Sequence, residues 1–121
     1  MSDSVYPHNP TTMDRKYPHI STIWARGLDE GDKATWMRLE PIRCRIEGVS
    51  GYVRALQGAQ SADALSAIIV HREGLVVRPE DRIAKGILLD ETPPAGAFTV
   101  TSAEPLSAGC DGIHHWEVTA R

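Results

Sequence analysis

Apolar and polar residues alternate with a period of two in several short segments of the chain. The clearest is residues 42–47, where Ile42, Cys44 and Ile46 share one face and the charged residues between them share the other. A period of two places successive side chains on opposite faces, so this pattern predicts a half-buried β-strand. Pro41, just before it, lacks the N–H that a strand interior donates, which predicts a bend, a bulge or an edge position.

Several other short segments have strand character and are separated by turn-forming residues. β-Branched and aromatic residues favour strands at residues 20–26 and 97–106, and period-two alternation favours one at residues 113–120. Residues 64–72 are compatible with a helix or a strand, and their shortness, with Gly74 just beyond, favours a strand. Extended chain is also expected at three further segments, residues 35–40, 75–77 and 82–86.

About six short strands with intervening turns indicate an all-β fold, either a sandwich or a small β-barrel. The apolar faces of the strands supply the predicted core, and alternation in residues 98–102 places Phe98, Val100 and Ser102 on one face. The candidates for the barrel core are Ile42, Cys44, Ile46, Ile83, Phe98, Val100, Trp116 and Val118.

Two segments lack any period and predict irregular structure. Residues 1–19 are rich in proline and small polar residues, which predicts a flexible N-terminal arm that gains order only from a neighbour. Residues 48–66 are small, polar and glycine-containing, which predicts a long inter-strand loop, and loops of that length are often functional. The chain is therefore divided into an arm, residues 1–19, and a β-barrel domain, residues 20–121.

Length and charge restrict the classes of function. A chain of 121 residues is the size of a single domain with one modest core. A formal net charge of −3 and a pI near 5.9 argue against sequence-independent binding to nucleic acid. Arg43 and Arg45 lie on the outward face of their strand, where solvent exposure is the ordinary interpretation and contact with a protein or nucleic acid is the alternative. The polar N-terminus lacks a secretory signal and no apolar run approaches the roughly 20 residues that span a bilayer, so cytosolic synthesis is expected.

The two cysteines are distant in sequence and are expected to be thiols rather than a disulfide. Cys44 lies on an apolar face, which indicates a small core residue. Cys110 lies in a glycine-rich turn beside Asp111, whose negative charge disfavours a reactive thiolate.

The closing sequence DGIHHWEVTAR raises the question of a metal site or an acid–base site. Period-two alternation places His114 with Trp116 and Val118 on one face, and His115 with Glu117 on the other. Two imidazoles on opposite faces do not bind one ion without distortion, and no CxxC, HxH or HxxxH spacing accompanies them. His71, Cys44 and Cys110 would have to complete a metal site.

A catalytic interpretation of the same strand is not supported by other catalytic motifs in the sequence. His115 and Glu117 share a face, so an imidazole oriented by a carboxylate is geometrically possible. No nucleophile elbow, phosphate-binding loop or paired-carboxylate signature accompanies them. We therefore expect no catalytic residue, no metal ligand and no cofactor. The alternative from a different class is a small metal-binding or hydrolytic β-barrel domain that uses His71, His114, His115 and Glu117.

Two stretches of the chain resemble small structural proteins of tailed bacteriophages. They are VRPEDRIAKGILLDETPPAGAFTVTSAEP, with a Pro-acidic turn, DRIAKG, an acidic insert and an FTVTS strand, and HHWEVTAR, which closes the chain. The family is that of the head-closure or head–tail connector proteins, sometimes called minor capsid proteins. The resemblance covers roughly residues 20–121 and rests on the order and character of the strands and on these two motifs.

The resemblance implies a small β-barrel without enzymatic activity. Similar proteins form a ring at the virion neck, between the portal–adaptor stack and the tail, where they close the head, help to retain DNA and offer a docking surface for the tail. The implied partners are further copies of the chain in a sixfold or twelvefold ring, the portal or adaptor protein, tail proteins, and genomic DNA that passes without sequence-specific binding. The implied location is the virion neck, after synthesis and assembly in the bacterial host cytoplasm. A tail terminator or completion protein is the alternative within structural proteins.

The motifs of the resemblance correspond to two predicted strands. DRIAKG, residues 81–86, would be the central strand, and HHWEV, residues 114–118, would be the closing strand. The gate and contact elements of similar proteins are long loops and termini, which correspond here to residues 48–66 and to the arm. The contact candidates in or beside these two segments are Tyr6, His8, Tyr17, His19, Tyr52, Arg54, Gln57 and Gln60.

Overall fold

The computed structural model of the chain describes residues 15–49, 64–107, 109 and 112–121. Most of the predicted loop at residues 48–66 and most of the predicted arm lie outside these residues. The described chain forms seven strands: β1 (His19–Leu28), β2 (Ala34–Arg38), β3 (Ile42–Val49), β4 (Leu65–Val70), β5 (Arg82–Lys85), β6 (Phe98–Leu106) and β7 (His115–Ala120).

Six of the strands close into an antiparallel barrel in the order β1, β3, β4, β7, β6, β5, because β5 pairs back onto β1. The closing ladder runs from Ser21 opposite Lys85 to Trp24 opposite Arg82. The remaining strand, β2, pairs with the second half of β1. The predicted all-β class is confirmed, and of the two predicted architectures the barrel is the one that forms.

The barrel is filled by the inward faces of its strands, as period-two alternation predicts. The buried cluster comprises Ile23, Ile42, Cys44, Leu65, Ala67, Ile69, Leu75, Val77, Ile83, Val100, Trp116, Val118 and Ala120. Ile46 and Phe98, two of the core candidates, are partly buried and pack against this cluster. The segment at residues 64–72 contains a strand, β4 (Leu65–Val70), rather than a helix.

One predicted strand is absent. Residues 75–77 form no strand but belong to an irregular segment between β4 and β5. Leu75 and Val77 are nevertheless buried in the barrel core. The apolar side chains of this segment therefore indicated that it is buried. A buried segment need not be a strand, because an irregular segment can also place apolar side chains in the core.

A bulge at Leu39–Pro41 joins β2 to β3, in agreement with the prediction from Pro41. Both strands pair with β1: Trp24 lies opposite Arg38 of β2, and Ser21 lies opposite Ile42 of β3. These two pairs are three residues apart along β1 but four residues apart along the β2–β3 segment. One residue is therefore extra on the β2–β3 side, which is the definition of a bulge.

A second irregularity corrects the predicted faces of β6. The register of β6 against β7 shifts between Val100 and Ser102. Val100 is buried in the barrel, Ser102 is exposed, and Ala103 packs against the core in its place. The prediction that Ser102 shares the face of Phe98 and Val100 was wrong because an extra residue in a strand reverses the alternation beyond it.

The middle of β1, residues 21–24, is buried on both faces, because residues 86–90 lie along its outer side. The Thr22 hydroxyl donates to the carbonyl of Gly86 (2.8 Å) and accepts from the amide of Leu88 (3.0 Å). The Trp24 indole Nε1 donates to the carbonyl of Asp90 (2.8 Å). These bonds satisfy the two polar groups that would otherwise be buried without partners.

Candidate assembly surface

The closing strand β7 orients its first residues largely as the alternation predicts. Trp116 and Val118 point into the barrel and are buried, whereas Glu117 is exposed on the outer face beside the half-buried His115. The indole Nε1 of Trp116 donates to Nδ1 of His71 (3.0 Å). His71 therefore satisfies the buried indole, a structural role that no local pattern in the sequence indicates.

His114 departs from the prediction. It precedes β7 and is exposed, and its Nδ1 lies 3.0 Å from Nδ1 of His115. The rings meet edge to face with centroids 5.3 Å apart. The prediction that His114 shares the face of Trp116 was wrong because the alternation of a strand does not apply to a residue outside it. A hydrogen bond between two Nδ1 atoms requires one donor and one acceptor, so at least one imidazole is neutral in this geometry.

The possible ligands of a metal site are not brought together. Nδ1 of His71 is bonded to Trp116, and Cys44 is buried in the core on a different strand. Within residues 15–49, 64–107, 109 and 112–121, no group of three His, Cys, Asp or Glu side chains could hold a metal ion. Cys110 lies outside the described residues.

The acid–base pair that the alternative, catalytic interpretation requires is too far apart for a hydrogen bond. Nε2 of His115 lies 3.8 Å from Oε2 of Glu117. A carboxylate that orients a catalytic imidazole lies within about 3.2 Å of it. Glu117 therefore contributes an exposed negative charge beside His115 but does not orient the imidazole.

Burial raises the pKa of the Cys44 thiol above its ordinary value of 9.0, although Ser21 and Lys85 act in the opposite direction. In a Cys110→Ser variant, we expect native Cys44 to react with a thiol reagent at least about 100-fold more slowly than the unfolded chain, because the reactive thiolate is disfavoured and enclosed. The thiol of the unfolded state ionises first as pH rises, so stability should fall above pH 9.0. Rapid labelling of the native variant would contradict the buried position.

A basic pocket lies beside the start of β1. Lys16, Arg45, His114 and His115 line a depression of about 180 Å³ together with Tyr17 and Ile68. These four nitrogen-bearing side chains define the basic pocket. They come from the segment before β1, from β3 and from the start of β7, so only the tertiary structure brings them together.

Tyr17 and His19 position one wall of the basic pocket. Tyr17 is only 8% exposed, and its carbonyl accepts from Nη1 of Arg43 (3.1 Å). Nδ1 of His19 accepts from the amide of Ile46 (3.0 Å). These are the two contact candidates that the structure describes, and both are engaged within their own chain. Tyr6, His8, Tyr52, Arg54, Gln57 and Gln60 lie outside the described residues.

A ribbon whose tip is acidic lies at the other end of β1. Beyond Trp24, the ladder of β1 continues with β2 to the turn at residues 29–33, and residues 25–38 define the ribbon. Its turn carries the exposed side chains of Asp29, Glu30, Asp32 and Lys33, and the two strands of the ribbon carry Arg26 and Arg38. Oδ1 of Asp29 accepts from the amides of Gly31 (2.8 Å) and Lys33 (2.9 Å), so this carboxylate holds the turn.

The ribbon also exposes apolar side chains and a strand edge. Leu28 is 58% exposed and Met37 is 67% exposed. Among the described residues, β2 has β1 on one side and no strand on the other. Native proteins usually cover or interrupt such an edge because it can pair with another chain.

The outer face of β3, β4, β7 and β6 carries an acidic groove next to the outward-facing Arg45 of β3. Glu47, Glu104 and Glu117 line a shallow groove of about 470 Å³ on this face. Glu104 and Glu117 are direct partners across β6 and β7, an arrangement in which like charges repel. Negative charge is therefore concentrated in this groove and at the ribbon tip, and the groove adjoins the basic pocket, because Ile68 lines both and Glu117 lies 3.8 Å from His115.

Comparison with known proteins does not assign this chain to a family, so its class is described from the fold and the surfaces. A scan against protein-family models finds no match, and a search of curated proteins finds none. In the part of the chain that the structure describes, no helix has the length and apolar character needed to cross a membrane. The fold and its surfaces define a small closed β-barrel with an acidic groove beside a basic pocket.

Proposed function

We propose that this chain is a structural protein of the bacteriophage neck, which forms a ring between the portal or adaptor and the tail. In this role it closes the filled head, helps to retain DNA and presents a surface to which the tail docks. The observation that carries the proposal is that residues of the two motifs resembling head-closure proteins build the barrel. Asp81, Ile83, Trp116 and Val118 are all buried in or against the barrel.

Because these motif residues are buried, they stabilise the fold and do not themselves contact a partner. Residues that build a barrel can be shared by proteins whose exposed surfaces contact different neighbours. Function then belongs to the exposed elements, and here those are the ribbon, the basic pocket and the acidic groove. A set of separate contact surfaces is what a protein between two neighbouring rings requires.

The negative charge of the chain supports a role in which the protein binds the passing DNA only weakly. Each Lys or Arg that contacts a phosphate adds affinity, so a channel wall through which DNA slides benefits from few such contacts. The formal net charge of −3 and the acidic groove between β3 and β6 are compatible with this role.

The proposal is tested by deleting the gene from the phage that encodes this chain. We expect heads that package DNA and then lose it, together with normal free tails, and we expect the protein in wild-type virions at the neck by immunogold labelling. Tails of irregular length beside stable filled heads would instead indicate a tail terminator. Virions that lack the protein altogether would overturn the proposal.

A further inference from the structure

We infer that the acidic tip of the ribbon of one copy of this chain docks into the basic pocket of a second copy. The inference rests on the proposed ring and names the surfaces that join its subunits. The occupant of the pocket is thus a protein carboxylate, and the partner is an identical chain.

The two surfaces lie at opposite ends of one strand. β1 spans ten residues from His19 to Leu28, and at about 3.3 Å per residue its ends are roughly 30 Å apart. The basic pocket adjoins the first residue of this strand, and the acidic turn follows its last residue. A ribbon on a stiff strand of this length does not reach the pocket of its own chain.

When the ribbon of each chain binds the pocket of the next, a series of copies forms. The chain at each end of this series still has one unoccupied surface. Such a heterologous contact continues from copy to copy and generates either a ring or a filament. The placement of the two surfaces at opposite ends of β1 therefore supplies the connectivity that a ring needs.

The charges on the two surfaces are complementary. Lys16 and Arg45 are cations in the pocket, His114 and His115 add ring nitrogens, and the Glu117 carboxylate lies 3.8 Å from Nε2 of His115. Glu30 and Asp32 are exposed at the ribbon tip, and neither holds the turn as Asp29 does. Complementary charge across an interface guides the approach of partners and selects the orientation in which they bind.

Apolar groups accompany the charges on both sides. Leu28 and Met37 are exposed on the ribbon, and Ile113 is partly exposed next to the pocket residue His114. Burial of such side chains next to complementary charges gives an interface an apolar centre and a polar rim.

The experiment uses the full chain and two sets of substitutions. Glu30→Lys with Asp32→Asn alters the ribbon and leaves Asp29 in place. Asn is chosen because Asp32 has a φ of 59°, which Asn tolerates better than most residues. Lys16→Gln with Arg45→Gln removes the charge of the pocket and creates no negative surface for the altered ribbon to bind. Glu73→Lys, on the exposed turn after β4, is the matched control for a change of charge.

Association is measured by sedimentation velocity and by the concentration dependence of ¹⁵N amide shifts up to about 1 mM. We expect the signals of Gly31 and His115 to shift together in the wild-type chain. Each altered variant should associate at least about tenfold more weakly, and the Glu73→Lys chain should behave as wild type. A mixture of the two altered variants retains one intact contact, so it should form 1:1 pairs and no larger species.

Several results would overturn the inference. They are wild-type shifts that do not depend on concentration, shifts confined to other surfaces, altered variants that associate as wild type does, and mixtures that fail to pair. These failures are distinct from a failure of the proposed function. Variants that assemble normally in a genuine neck protein overturn only the docking contact, whereas head-to-tail association of a chain that is absent from virions overturns only the neck assignment.

Discussion

Replacing Trp24 with alanine is expected to lower the free energy of unfolding by about 3–5 kcal/mol. Trp24 is the largest of the fully buried side chains, with an exposed fraction of 0%. It lies between β1 and residues 86–90, and its Nε1 donates to the carbonyl of Asp90. The substitution removes the packing of a large ring and leaves a carbonyl without its partner, and both effects act in the same direction.

Two further substitutions separate these effects. Trp24→Phe keeps much of the packing but loses the Nε1 hydrogen bond, and we expect a loss of about 1–3 kcal/mol. Trp36→Ala removes a half-buried indole that contacts the guanidinium of Arg82 at 5.0 Å, and we expect a loss of about 1 kcal/mol. Urea denaturation followed by circular dichroism measures all three. A Trp24→Ala chain as stable as Trp36→Ala would show that residues 86–90 do not pack on β1.

Replacing Asp81 with alanine is expected to lower the free energy of unfolding by about 2–4 kcal/mol. Asp81 is only 2% exposed and begins the DRIAKG motif. Its Oδ1 accepts from the amide of Arg26 (2.9 Å), and its Oδ2 accepts from the amide of Arg78 (2.9 Å). One carboxylate thus joins β1 to the turn before β5, and its removal leaves two amide donors without partners.

The matched control for this prediction is Asp81→Asn, which preserves the shape of the side chain. The amide of Asn accepts with one oxygen but offers an N–H where the second acceptor stood, so an intermediate loss of stability is expected. Urea denaturation measures the global effect. Hydrogen exchange at the amides of Arg26 and Arg78 reports the local effect, and unchanged exchange in Asp81→Ala would contradict the role of this carboxylate.

These stability predictions bear on the proposed assembly. The carboxylate of Asp81 anchors β1 at Arg26, inside the ribbon that we propose to contact a second copy. Loss of this anchor should therefore weaken self-association as well as the fold. Substitutions at Glu30 and Asp32 alter the ribbon tip alone, so they distinguish a loss of contact from a loss of structure.

The local pattern of the sequence determined the class of the fold and much of the core. Residues 42–47 alternate because one face of β3 meets the barrel interior and the other meets solvent, and this relation needs no distant partner. The bulge at Pro41 was predictable for the same reason, since a missing N–H is a property of a single residue. Trp116 and Val118 were assigned to one face on equally local grounds.

Contacts between distant segments decided the rest. The double-sided burial of β1 depends on Asp90, which is 66 residues from Trp24, and the irregular but buried Leu75 depends on the space left between strands. The basic pocket gathers Lys16, Arg45 and His115 from three separate segments. Alternation reports which face of a strand avoids water, but it carries no information on which segment covers that face. Closure of the barrel, the outer cover of β1 and the position of both charged surfaces therefore arise only when the whole chain packs.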